Sequence, residues 1–140
     1  MSTIDKMGGI VAAKPESGLH KVFTVPVTVD FAGVVNADVL QVIPALKGWK
    51  CLGVAKTQVV ACDGTTPVAD MGVTGGDVDG FMDGVALDST AGAIVDGAGA
   101  LATGGGYLFT ADDTIDLLIS VTGTITVGSA KFVAYFVDLN

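Results

Sequence analysis

The stretch Asp112-Asp113-Thr114-Ile115-Asp116-Leu117-Leu118-Ile119-Ser120-Val121, followed after a Thr/Gly turn by Gly128-Ser129-Ala130-Lys131-Phe132-Val133-Ala134-Tyr135-Phe136-Val137-Asp138-Leu139, decides the fold class. Both runs are rich in β-branched and aromatic residues, which suit the half-buried, pleated surface of a sheet. Two such runs about a glycine turn predict a strand pair that closes a sheet with the chain end tucked in. Nothing beside them resembles an active site. In the second run, Phe132 and Phe136 fall on one face, and Val133, Tyr135, Val137 and Leu139 on the other. A strand apolar on both faces is covered on both sides. In a two-layer protein the second cover is another subunit, so Val133, Tyr135, Val137 and Leu139 are the expected oligomer contact.

The remaining sequence agrees. Val22–Phe31 alternates Phe23, Val25, Val27, Val29 and Phe31 with Thr24, Pro26, Thr28 and Asp30, a period-two strand signal. Pro26 cannot donate to a ladder, which assigns this strand to a sheet edge or a bulge. Further strands are expected at Val39–Ile43, Trp49–Ala61 and Pro67–Val73, with shorter apolar pieces near Phe81–Val85, Ala93–Val95 and Tyr107–Phe109. The glycine–aspartate turns at 75–80 divide them. About eight short strands predict an all-β, antiparallel two-sheet sandwich of jelly-roll type. An immunoglobulin-like Greek key is the main rival, but the Cys…Trp…Cys spacing of antibody domains is missing.

Residues 1–20 have no clean period and are punctuated by Gly8-Gly9, Pro15 and Gly18. They are read as an extended N-terminal arm, and residues 21–140 as the sandwich domain. An arm without a core of its own is ordered only when it lies on something else. Ile4, Lys6, Met7, Ile10, Val11 and Lys14 are the residues expected to make that partner contact.

Composition restricts function. The chain has 140 residues, is half hydrophobic, and contains a single Glu (Glu16), no Arg and a net charge of −8. Its size fits one domain. The charge excludes nucleic acid as the expected partner, because phosphate neutralisation needs clustered cations. Residues 1–70 are charge-balanced, whereas residues 71–140 carry the whole excess of acid. No secretory leader pattern is visible, and no run approaches the ~20 apolar residues of a membrane helix.

Few side chains suggest chemistry. Cys51 and Cys62 on one extended strand would lie roughly 36 Å apart, far beyond disulfide reach, so free thiols are expected. Asp77, Asp79 and Asp83 around Gly80 hint at a calcium loop, but the closing Glu of an EF-hand is absent, and turn-stabilising aspartates are the simpler reading. His20 is the lone histidine and has no evident triad or metal partners. Gly104-Gly105-Gly106 lacks the Lys-Ser/Thr of a phosphate loop. Trp49 suits either a sheet-edge core or an exposed sugar- or protein-binding platform. No cofactor, metal or catalytic residue is expected, and the chain does not read as an enzyme.

Three segments resemble a group of small bacteriophage virion proteins: Asp38-Val39-Leu40-Gln41-Val42-Ile43-Pro44, Met71 to Asp83, and Asp113-Thr114-Ile115-Asp116-Leu117 with the Gly128 to Leu139 ending. Some members resemble jelly-roll capsid cement or decoration proteins. The resemblance implies a virion component on the outer capsid surface, made in the host bacterial cytoplasm. It implies a homotrimer that binds the major capsid protein and stabilises coat subunits against internal DNA pressure. A tail, fibre or head-knob component, with a glycan-binding face, is the alternative. These motifs are turns and strands, so no catalytic site transfers.

Overall fold

The computed structural model describes residues 21–140. The N-terminal arm and His20 lie outside the described residues. Nine strands and one short helix follow: β1 (Lys21–Asp30), β2 (Val39–Ala45), β3 (Trp49–Val60), β4 (Thr65–Gly72), β5 (Met82–Ala86), β6 (Ile94–Asp96), α1 (Ala100–Thr103), β7 (Tyr107–Leu108), β8 (Asp113–Thr122) and β9 (Ser129–Asp138). They form two antiparallel sheets, one ordered β1-β9-β3-β6 with β7 also on β3, the other β2-β8-β4-β5. The all-β two-sheet sandwich expected from the sequence is present.

The predicted pairing of the last two strands is not. β8 pairs with β2 and β4, and β9 with β1 and β3, so the final strands belong to opposite sheets. Each lies between two neighbours. The reason is the connection between them. Asp63 accepts hydrogen bonds from the backbone of Thr126 and Val127 and from the Thr126 hydroxyl, and Phe31 N–H bonds Gly128 O at 2.9 Å. These anchors hold residues 123–128 as a crossing between layers instead of a hairpin turn. Gly128 at φ +142° lies against Cys62, where a Cβ would meet the sulfur at 2.3 Å. The chain end is still tied down, but to the β2–β3 turn: Leu139 N–H bonds Gly48 O at 3.0 Å, and Asn140 Nδ2 donates to Lys47 O.

The core follows the strand alternation. Ile115, Leu117 and Ile119 of β8 meet Phe132, Ala134 and Phe136 of β9 in one cluster with Ile43, Cys51, Val54, Ala69 and Met71, all buried. Pro26 lies on β1, which among the described residues pairs only with β9, as an edge strand requires. Opposite β1, the segment after β6 crosses between the layers. Gly97 N–H bonds Val54 O of β3, while Gly99 and Leu101 N–H groups bond Phe81 O and Gly80 O beside β5. Gly97 and Gly99 pass so near these carbonyls that a Cβ would lie within 2.4 Å of one.

Candidate interaction surfaces

The register of β1, β9 and β3 places five rows of side chains on the outside of the first sheet: Val22–Val137–Lys50, Thr24–Tyr135–Gly53, Pro26–Val133–Ala55, Thr28–Lys131–Thr57 and Asp30–Ser129–Val60. The first four rows hold no acid, in a chain with 15 acids against 7 lysines, while Asp30 ends the fifth and Asp96 of β6 extends the Ala55 row. Val133, Tyr135 and Val137 run down the middle of the face, half-buried between their neighbours. Leu139 lies just past β9 and is exposed. The structure thus brings three of the four expected oligomer-contact residues onto one acid-free strand face. The sixfold set expected on the arm, Ile4 to Lys14, lies outside the described residues.

The outside of the second sheet differs. There Asp70 accepts from Gly84 N–H at 2.7 Å, and the buried Asp116 accepts from Thr74 Oγ1 at 2.5 Å and Thr114 Oγ1 at 2.7 Å. Beside Asp116 is a pit of about 50 Å³ between Val39, Val78 and Leu118. Both carboxylates are satisfied within the fold, so their first role is to brace the sheet and its loop.

Other residues singled out in the sequence turn out to be structural. Trp49 is partly buried and packs among inner-face aromatics, 4.7 Å from the Phe23 ring and 5.3 Å from Phe136. Cys51 and Cys62 are free and buried. Desolvation pushes the Cys51 thiol up to about 12 and the Cys62 thiol to about 11, so neither is a reactive thiolate at neutral pH. The Asp79 carboxyl hydrogen-bonds Asp77 and raises its pKa. Among the described residues no three ligating side chains converge as a metal site, so Asp83 does not join that pair. Gly104-Gly105-Gly106 follows α1 and returns the chain to β3, with Gly106 N–H on Leu101 O at 2.7 Å.

Sequence reasoning missed a buried lysine. Lys56 is fully buried on the inner face of β3, with Nζ donating to Gln58 Oε1 at 2.6 Å. Gln58 Nε2 in turn bonds Val60 O and Ser129 O. Burial lowers the Lys56 pKa, with Cys62 and Asp88 acting the other way. The irregularity between Cys51 and Gly53 causes this placement. A bulge adds a residue and exchanges the two faces of the strand beyond it. Cys51 faces inward, and so, past the bulge, do Val54, Lys56 and Gln58.

With the architecture in view, comparison with solved structures is informative. Three phage capsids contain this fold. A chain of the cyanophage Pam1 capsid asymmetric unit matches with TM-score 0.62 at 16% identity, over 84% of this chain and 85% of its own. A chain of the acid-stable capsid of Helicobacter pylori bacteriophage KHP30 gives 0.57 at 15% identity, covering 84% and 90%. One from the capsid of Ralstonia phage GP4 gives 0.53 at 17% identity, covering 86% and 85%. No protein-family model and no curated protein sequence matches. At these identities the likeness is one of fold.

Proposed function

We propose that this protein is a structural component of a bacteriophage virion, a cement protein that binds the outer surface of the head as a homotrimer. The observation that carries the reading is the fold shared, over most of both chains, with proteins of three phage capsids. The strand order supports it. With two-residue β7 set aside, β1-β9-β3-β6 over β2-β8-β4-β5 is read as a jelly roll, two antiparallel Greek keys wound together.

In this reading the partner is the major capsid protein, and the role is mechanical rather than catalytic. Packed DNA pushes coat subunits apart. A trimer that grips several subunits at once resists separation, because each added contact forms at high effective concentration. Closed three-fold symmetry matches three-fold lattice positions. Val133, Tyr135, Val137 and Leu139 meet the neighbouring copy, where the lack of acids avoids repulsion between chains of net charge −8. The arm, through Ile4, Lys6, Met7, Ile10, Val11 and Lys14, reaches the coat lattice or the next copy. The protein is made in the host cytoplasm and ends on the outer surface of the head.

The test is to add purified protein to heads that lack it and image them by cryo-electron microscopy. Density at three-fold positions is the expected result. Bare heads with the protein on tails, fibres or knobs would overturn it. Deleting residues 1–18 is expected to abolish head binding while the sandwich domain stays folded, as circular dichroism would show.

A further inference from the structure

At the side of the sandwich away from β1, edge strands β5 and β6 face each other across an open groove of about 400 Å³. Met82 and Val85 lie on its inner side, Val95 and Ala98 line it, and Asp83 and Asp96 are its exposed charges. No lysine lines it. Among the described residues β5 pairs only with β4 and β6 only with β3, so each presents a free strand edge to the groove. Free edges recruit an extended peptide by adding a strand.

The geometry points to one occupant: residues 10–14 of a second copy of this chain, Ile10-Val11-Ala12-Ala13-Lys14, added as a strand in this groove. Three features select it. The segment is short, apolar and free of acid, and it ends in a lysine that complements Asp83 and Asp96. Seven residue steps separate Lys14 from Lys21 at the start of β1, a tether of up to ~25 Å when extended, enough to reach the abutting edge of a neighbour. The arm leaves β1 at one edge of the sheets, while the groove lies at the other. The donor edge of one copy therefore faces the receiving edge of the next. Repeated head to tail, such an exchange closes a ring when the rotation allows it. This rests on the trimer reading above and deepens it by naming the receiving site.

The test uses the full-length chain with one cysteine in the arm and one at the groove: Ala12→Cys with Ala98→Cys, and separately Ala13→Cys with Ala98→Cys to sample both strand registers. The native thiols are buried and remain silent. On mild oxidation, inter-chain disulfides closing into a covalent oligomer are expected. Adding Asp83→Lys and Asp96→Lys should lower their yield several-fold without altering the melting temperature. Intra-chain disulfides alone would overturn the proposal in favour of the chain's own arm. Failure to crosslink in both registers would overturn it too. Sedimentation separates the two readings. An intact trimer without inter-chain crosslinks defeats the arm exchange alone, and a monomer defeats both.

Discussion

Lys56 shows what one residue costs a sandwich. Its ammonium group sits in the core with Gln58 as its hydrogen-bond partner. Removing the hydrogen-bond partner of a buried charged group typically costs ~1–3 kcal/mol or more, because the charge is left uncompensated. Gln58→Leu also strands the carbonyls of Val60 and Ser129. Urea denaturation should therefore show a loss of about 2–3 kcal/mol. Alkali probes the same region. The Cys51 pKa rises from 9.0 to about 12 on folding, so its contribution is whole below pH 9 and is lost as pH climbs toward 12. That contribution is worth up to ~4 kcal/mol at ~1.4 kcal/mol per unit. Cys62, raised to about 11, acts in the same direction. Lys56 opposes them: its folded value lies below 10.5, so its contribution grows as pH approaches 10.5. Two thiols outweigh one amine, and the melting temperature should fall above pH 9. Cys51→Ala should flatten that fall even as it lowers stability at pH 7.

Among elements, legibility tracked the regularity of the pleat. The ten-residue alternation of β1 and its Pro26 announced an edge strand, and the structure has one. β3 was legible in extent but not in facing, because a bulge is invisible to a period-two count. β6, α1 and β7 have two to four residues each, too short for any period, and their positions depend on hydrogen bonds to β3 and to Gly80–Phe81. The partners of β8 and β9 were misread because periodicity reports burial, not neighbours. Their true arrangement depends on Asp63, whose carboxyl pKa is lowered by the Thr126 hydroxyl and then by the Thr126 and Val127 amides. A depressed carboxylate stabilises above its unfolded pKa and loses that contribution as pH falls through the folded value. The wild type should therefore lose stability below about pH 4. Asp63→Asn should lower stability at pH 7 and weaken the acid dependence, as thermal melts from pH 7 to 2 would show. At the other end of the loop, Gly128→Ala puts a methyl against Cys62 at a left-handed φ and should cost at least ~2 kcal/mol in chemical denaturation.

For the whole molecule, the asymmetry between the two outer surfaces is the feature that composition hinted at but did not place. The sequence halves differ in charge, yet both sheets mix strands from both halves. Only the register shows that acids are kept to the rim of one sheet face, at Asp30 and Asp96. Charging that face should abolish self-association and spare the fold. Val133→Asp with Val137→Asp is expected to sediment as a monomer at micromolar concentration with a nearly unchanged melting temperature. A wild-type monomer under the same conditions would refute the trimer.

The placement of β8 and β9 also sets an order of events. Each lies inside its sheet, flanked by strands made far earlier in the chain. During synthesis β1 and β3 wait for the partner that will join them, as do β2 and β4. The second layer can assemble only once β8, ending at Thr122, is made, and the first only once β9, ending at Asp138, is made. Pairings this distant in sequence favour slow folding. Until β9 is made, the edges of β1 and β3 stay unpaired, a template for pairing between nascent chains.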